Sequence, residues 1–178
     1  MASIKLKNLI NKNKFFVIAE AGCNHEGDFE TALKMVREAA KSGAHAIKFQ
    51  SFTMNNLFAV KEYTKKLKLP ENALDGINNI IFKKEWYKPL MAESKKNNII
   101  FISTPFSIES VLEMEENNIG IYKIASCDID NIPLLNAIAK TKKPAIMSTG
   151  LALNKDINEA LKILKNNEVA LLHCSVEY

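Results

Sequence analysis

Six short apolar runs, each followed by a polar segment and a helical pattern, constrain the fold of this chain more than any other feature. The runs recur roughly every 20 to 30 residues outside one long insertion, as strands of a parallel α/β fold do. They occupy residues 15–19, 46–51, 99–103, 121–125, 144–147 and 169–174. The 178-residue sequence therefore predicts one α/β domain with six parallel strands and about five intervening helices.

Helix signals lie between the runs. Within 29–41 the apolar residues recur at helical spacing, Asp28 can cap the first turn, and Gly43 can end the helix. Comparable patterns predict helices over 84–97, 107–117, 131–140 and 154–165. Residues 53–80 are polar and lysine-rich and include Pro70 and Gly76, so a long loop with a short helix at most is expected there.

Polar residues mark the C-terminal ends of the predicted strands. They are Glu20, Lys48, Gln50, Thr104, Lys123, Ser126, Ser148 and His173. Several strands of a (β/α)8 barrel contribute to its active site at this end, whereas a doubly wound sheet has one site at one switch point. No strand precedes a G-x-G-x-x-G motif. We therefore predict a TIM-type (β/α)8 barrel, incomplete here because only six strands are expected.

Lys48 and Lys123 suggest an anion site. Period-two alternation places Lys48 and Gln50 on one strand face and Phe49 on the other. An unpartnered lysine in a core is costly, so this face is expected to line a polar, ligand-holding interior. Two lysines on separate strands suit phosphate or carboxylate. A buried ion pair with Glu20 and a Schiff-base lysine are the alternatives.

Hydroxyl residues extend this pattern. Thr104, Ser126 and Ser148 each end a strand, where a single hydroxyl is more often a turn or cap residue. Three of them beside two lysines indicate that they grip phosphate oxygens. His173 is expected to face the interior and Cys174 to pack outside it, because adjacent strand residues point to opposite faces. His25 is interpreted as either a surface-loop residue or a ligand contact.

Composition excludes other classes of function. The formal charge of +4 and the scattered lysines do not predict nucleic-acid binding. No apolar run reaches the roughly 18 residues of a membrane span, and the charged N-terminus is not a signal peptide. The cysteines Cys23, Cys127 and Cys174 lack metal-type spacing. A cytoplasmic protein is predicted.

Six phrases occur together in one order. They are Ile-Ala-Glu-Ala-Gly-Cys-Asn-His-Glu-Gly-Asp at 18–28, Gly-Ala-His-Ala-Ile-Lys-Phe-Gln at 43–50, Phe-Ile-Ser-Thr-Pro-Phe-Ser at 101–107, Tyr-Lys-Ile-Ala-Ser at 122–126, Lys-Pro-Ala-Ile-Met-Ser-Thr-Gly at 143–150 and Leu-Leu-His-Cys at 171–174. Over residues 15–178 the chain resembles the N-acetylneuraminate (sialic acid) synthase family. The resemblance identifies residues 1–178 as the N-terminal part of a synthase-type barrel.

The resemblance implies a transferase of sialic acid biosynthesis. In the family, phosphoenolpyruvate condenses with an N-acetylated hexosamine, N-acetylmannosamine in the sialic acid case. The products are a nine-carbon 2-keto acid and phosphate. A divalent cation, manganese or magnesium, polarises the sugar aldehyde.

The resemblance also implies roles for individual residues. Residues at the phosphoenolpyruvate-holding positions are Lys48, Thr104, Lys123, Ser126 and Ser148. Glu20 matches the glutamate near the reacting centre, and with Lys48 and Lys123 it forms the expected catalytic set. Gln50, Phe106 and Tyr178 match positions that line the substrate site.

Other family features are expected to be missing. Family members continue past the Tyr178 motif with two strands that carry both metal-binding histidines, and then with an antifreeze-like domain that reaches into a dimer partner. Val176 replaces a family asparagine. We therefore expect no metal ligands in this chain and little activity from it alone.

Two alternatives remain open. The sugar could be that of a legionaminic acid, pseudaminic acid or spore-coat polysaccharide synthase, because the six phrases serve the shared phosphoenolpyruvate chemistry. Otherwise the chain could be a non-catalytic remnant that binds an anion or a partner. Open first and last strands predict a homo-oligomer or an edge-paired assembly.

Overall fold

Six parallel strands form the centre of the computed structural model, which describes residues 5–12, 15–53, 66, 76 and 79–175. The strands are β1 (Ile18–Gly22), β2 (Ala46–Ser51), β3 (Ile100–Pro105), β4 (Tyr122–Ile124), β5 (Ala145–Ser148) and β6 (Val169–Leu172). Their order in the sheet is their order along the chain. The resulting half-barrel confirms the predicted incomplete TIM-type fold.

Six α-helices lie in the described residues. They are α1 (Leu6–Lys12), α2 (Phe29–Lys41), α3 (Tyr87–Lys96), α4 (Ile108–Glu116), α5 (Ile132–Thr141) and α6 (Asn154–Ile163). Short 3-10 turns occupy Lys84–Trp86 and Ser126–Asp128. The predicted Asp28 cap is present, because its carboxylate accepts the Thr31 N–H at 2.7 Å. The Ser107 hydroxyl caps α4 in the same way and accepts the Ser110 N–H at 3.1 Å. The five predicted intervening helices are confirmed.

The sheet is packed on both faces. Its outer face and the helices share one large apolar cluster, which includes Val36, Ile47, Phe49, Leu90, Phe101, Tyr122, Leu134 and Met147. Its inner face carries a smaller cluster that contains Ala46, Ile102, Ile121 and Ile146. Burial on both faces explains the nearly continuous apolar runs of the sequence.

The helix α1 was not predicted. Its Leu6 is buried against the inner cluster, so α1 lies at the N-terminal ends of the strands. The Glu168 carboxylate accepts the N–H groups of Leu6 at 2.9 Å and Lys7 at 2.7 Å. A seven-residue helix is not stable in isolation. It forms here through tertiary contacts that no local pattern encodes.

Some predictions fall outside the described residues. The loop predicted over 53–80 lies mostly there, as do Val176 and Tyr178. Across the described parts of the chain, no helix combines the length and the apolar character needed to cross a membrane.

Candidate functional site

A polar layer follows the inner apolar layer on the same face of the sheet. Each of its residues stands two positions after an inward-facing apolar residue, so that alternation brings it to the C-terminal end of the half-barrel. The layer comprises Glu20, Lys48, Thr104, Lys123 and Ser148. Glu20 pairs in register with Lys48, and Gln50 with Thr104. The structure thus brings together five of the nine predicted site residues in one layer, with Gln50 at its edge.

Lys48 and Glu20 form an ion pair. The Lys48 side chain is 12% exposed and that of Glu20 is 49% exposed, so the pair lies at the opening of the half-barrel. Lys48 Nζ also donates to Thr104 Oγ1 at 3.4 Å. The ion pair anticipated as an alternative is present, but its carboxylate remains half open to solvent.

Lys123 is the buried cation of the site and is 6% exposed. Its Nζ donates to Ser148 Oγ at 2.6 Å and to the Ile124 carbonyl at 2.7 Å. None of the salt bridges among the described residues includes it. Burial, and then the nearby charge of Lys48, lower the pKa of Lys123 to about 8. An anion placed here would supply the missing counter-charge.

Ser126 and Gly150 border the lysine from the next two loops. Ser126 Oγ accepts the Gly150 N–H at 3.1 Å and lies 3.4 Å from Cys174 Sγ. The hydrogen bond with Ser126 is the main cause that lowers the pKa of Cys174, and the backbone N–H groups of Thr149 and Gly150 lower it further. Together these groups favour the ionised form of the Cys174 thiol, as the donors of an anion site favour a bound anion.

Cys174 corrects one expectation, because Cys174 and not His173 faces the site. Leu172 lies opposite Ser148 in register, so it shares the inward face. Two positions later that face belongs to Cys174, while His173 is exposed. The inward position of Cys174 follows from the register of β5 with β6, which alternation within β6 alone does not give.

Gln50 and Phe106 lie at the edge of the polar layer. Gln50 Oε1 accepts the thiol of Cys23 at 3.0 Å. The half-buried ring of Phe106 packs edge-on against Phe52, with 6.0 Å between centroids. Their roles toward a substrate stay predictions, and Tyr178 lies outside the described residues.

His25 is neither a surface residue nor part of the polar layer. It is fully buried on the outer side of the sheet, where its ring centroid lies 5.1 Å from that of Trp86 and 6.2 Å from that of Phe49. Its Nδ1 accepts the Gly27 N–H at 3.0 Å, and burial lowers its pKa. His25 therefore holds the loop after β1 as a neutral core residue.

The described residues do not form a recognisable metal site. Within them, no group of three or more His, Cys, Asp or Glu side chains is placed to hold an ion. Glu20 is the carboxylate of the polar layer, and it is already paired with Lys48. This donor set does not fit a divalent cation, which prefers several oxygen ligands.

Comparison with known proteins adds to this picture. A profile of the NeuB family matches residues 35–178. The N,N'-diacetyllegionaminic acid synthase of Campylobacter jejuni is 41% identical over 175 residues, which cover 93% of this chain and 52% of that protein. The chain spans about half the length of the curated relatives it matches.

Two crystal structures are similar in both sequence and fold. The N-acetylneuraminic acid (sialic acid) synthetase of Leptospira borgpetersenii, solved with citrate, is 38% identical with a TM-score of 0.79. The match covers 92% of this chain and 55% of that one. The spore coat polysaccharide biosynthesis protein spsE of Bacillus subtilis is 32% identical with a TM-score of 0.76, and the match covers 92% and 44% of the two chains.

Proposed function

The chain belongs to the NeuB family, and we propose that its half-barrel holds phosphoenolpyruvate for condensation with an N-acetylated hexosamine. The family match confirms the relationship expected from the six phrases. The proposed products are a nine-carbon 2-keto acid and inorganic phosphate.

One observation carries the proposal: Lys123 is a buried cation that is hydrogen-bonded to neutral groups and forms no salt bridge with a described carboxylate. Its contacts are Ser148 and the Ile124 carbonyl, and no described carboxylate forms a salt bridge with it. A buried charge without a counter-charge is unfavourable, so a bound anion would be stabilised there. Phosphoenolpyruvate brings both a phosphate and a carboxylate.

The geometry supports a role for each group in the polar layer. Lys123 and Lys48 would neutralise the phosphate and stabilise the charge that develops on it as it leaves. The hydroxyls of Thr104, Ser126 and Ser148 would donate to its oxygens. In the proposed reaction C3 of phosphoenolpyruvate bonds to the sugar aldehyde carbon, water adds at C2, and the C–O bond to phosphate breaks.

Glu20 suits the proton transfer in this scheme. It lies at the opening, and its carboxylate is half exposed beside Lys48. There it would accept a proton from the attacking water or orient that water, since a general base must lie within hydrogen-bond reach of the proton that it removes.

The identity of the sugar stays open within one class. A relative at 41% identity is named for legionaminic acid, and a structure at 38% identity is named for sialic acid. We therefore propose N-acetylmannosamine or a related N-acetylated hexosamine, with the legionaminic, pseudaminic and spore-coat branches as alternatives. The cytoplasm stays the location predicted from sequence.

The requirement for manganese or magnesium is proposed only from the resemblance to the family. When bound, such an ion polarises an aldehyde as a Lewis acid. The described residues do not fit such an ion, so no step here depends on it. We propose that the described residues form the phosphoenolpyruvate half of the site and turn over little without further ligands.

A second candidate is an anion-binding or partner-binding protein without turnover. The observation in its favour is the open sheet: β1 and β6 are its two ends, and Leu171 and Leu172 of β6 are exposed. Such edges pair readily with other strands. A homo-oligomer or an edge-paired assembly is proposed for either function.

Calorimetric titration of phosphoenolpyruvate, with and without manganese, tests the proposal. We expect binding in both cases, because the lysines and hydroxyls that hold the anion lie within the described residues. Absence of binding by folded protein would reject the phosphoenolpyruvate site. Release of phosphate when manganese and N-acetylmannosamine are added would reject the second candidate, which has no turnover.

A further inference from the structure

Gln50 is the outermost inward-facing residue of β2, two positions beyond Lys48 and opposite Thr104. Its amide has an acceptor oxygen at one end and a donor NH2 group at the other. The end that points toward a ligand decides which ligand atoms Gln50 can recognise. A protein group that binds one end of the Gln50 amide therefore determines which end is left to face a ligand.

Cys23 binds the oxygen end. Its thiol donates to Gln50 Oε1 with 3.0 Å between sulfur and oxygen. Because a thiolate cannot donate, this contact needs the protonated thiol. Burial and the neighbouring Glu20 raise the pKa of Cys23, which keeps the thiol protonated at neutral pH.

The backbone before Cys23 makes this contact possible. The β1–β2 register shifts between Glu20 and Gly22, and Gly22 has a φ of +55°. A Cβ at this position would lie 3.3 Å from Glu20 Oε1 and 3.7 Å from Gln50 Oε1. Because glycine has no Cβ, it can adopt the left-handed conformation here without crowding the side chains of Glu20 and Gln50. The next residue, Cys23, then lies within hydrogen-bond distance of Gln50.

We propose that Cys23 is a positioning residue that holds the Gln50 carbonyl oxygen, so that the Gln50 NH2 group donates to an acceptor oxygen of the bound substrate. The proposal rests on the function proposed above. It assigns to the substrate an oxygen acceptor beside Lys48, and it gives Cys23 a role that does not involve reaction of the thiol.

The chain offers a selective probe, because Gln50 is its only glutamine. Protein labelled in glutamine with 13C at Cδ and 15N at Nε2 gives one side-chain carbonyl and one NH2 signal. We expect the Cδ resonance to move upfield in Cys23→Ala, which lacks the donor, and much less in Cys23→Ser, which retains one. In Cys127→Ser, a change at an exposed cysteine, it should stay at the wild-type position.

A pH titration of the unaltered protein makes the test independent of any misfolding variant. As Cys23 ionises it loses its donor proton, so the Gln50 Cδ resonance should titrate in the wild type and not in Cys23→Ser. A resonance that does not respond to pH, or that is identical in Cys23→Ala and wild type, would overturn the positioning role.

The proposed hydrogen bond from the Gln50 NH2 group to the substrate is tested with phosphoenolpyruvate and N-acetylmannosamine. We expect their addition to move the Gln50 Nε2 resonance of the wild type. If calorimetry detects binding while this resonance stays still, the donor role of Gln50 is rejected. If no binding is detected, the proposed function fails, whereas the Cys23–Gln50 contact is still read from the Cδ resonance.

Discussion

At the scale of single residues, the buried positive charge of Lys123 is the property of the site that most favours a bound anion. It is a buried ammonium group held by Ser148 and a backbone carbonyl, and Lys48 repels it. Such a group keeps its charge at the expense of stability unless an anion arrives. Because this buried charge has no paired carboxylate among the described residues, substitution of Lys123 tests the anion site most directly.

Lys123→Ala should weaken phosphoenolpyruvate binding by at least about 1.5 kcal/mol, the scale of one hydrogen bond to a charged group. That corresponds to roughly a tenfold rise in Kd, measured by calorimetry. Lys95→Ala, which removes an exposed lysine from α3, is the matched control and should bind as the wild type does. Equal affinity of Lys123→Ala and Lys95→Ala would remove Lys123 from the anion site.

Deprotonation of Lys123 should have opposite effects on binding and on stability. Its pKa is about 8 in the folded protein, against an ordinary value of 10.5. Anion affinity should fall as pH rises through 8, because the neutral amine no longer attracts phosphate. Between pH 8 and 10.5 the unfolded chain binds more protons at Lys123 than the folded chain does. The contribution of Lys123 to the free energy of unfolding therefore becomes more favourable as pH rises through this range.

Two measurements check these opposite signs. Phosphoenolpyruvate affinity and urea midpoints, compared at several pH values from 7 to 10, should diverge in the wild type. In Lys123→Ala both pH trends should be reduced. A wild-type affinity that is flat over this range would show that Lys123 keeps its proton or does not contact the anion.

At the scale of elements, two glycines separate backbone strain from packing. Gly27, in the loop after β1, and Gly43, after α2, both have positive φ angles, of +75° and +83°. A Cβ on Gly27 would lie 1.9 Å from the Asn79 carbonyl oxygen, whereas a Cβ on Gly43 would have no atom within 4 Å. The two positions differ chiefly in that contact.

Gly43→Ala should therefore lower the free energy of unfolding by about 1–2 kcal/mol, the cost of a left-handed backbone. Gly27→Ala should lower it by at least about 1–3 kcal/mol more, the usual range for overpacking. Urea denaturation of the pair measures this difference. Equal losses would mean that the approach of Asn79 to the loop does not contribute to stability.

Sequence patterns predicted the elements whose signals are local. The apolar run of β2 and the Asp28 cap of α2 were read directly, because alternation and capping depend on neighbouring residues. The helix α1 and the inward position of Cys174 were not predicted. The first depends on Glu168, far along the chain, and the second on the register of β5 with β6. Long-range partners of this kind leave no local pattern.

The candidate site follows the same division. The inward faces of Lys48, Thr104, Lys123 and Ser148 could be predicted from alternation within their own strands. The contact between Cys23 and Gln50 could not, because it follows the left-handed turn at Gly22 and the register shift between Glu20 and Gly22. The burial of His25 was also not predicted, because its aromatic neighbours come from β2 and from residues just before α3.

At the scale of the whole molecule, the open sheet should promote association. The outermost strand β6 carries Leu171, which is 46% exposed. We expect light scattering to show a mass that rises with protein concentration and falls in Leu171→Lys, because charge on an edge strand opposes pairing. Leu112→Lys makes the same change on exposed α4 and should leave the mass unaltered. A monomer at every concentration would reject edge pairing.

The attachment of α1 to Glu168 also bears on the order in which the molecule can assemble. The hydrogen bond from Leu6 to that carboxylate spans 162 positions, nearly the whole chain. Contacts between such distant positions require a long loop to close, which makes them late and slow events in folding. Helix α1 is therefore expected to dock late in folding, once Glu168 and the neighbouring strand β6 have reached their places in the sheet.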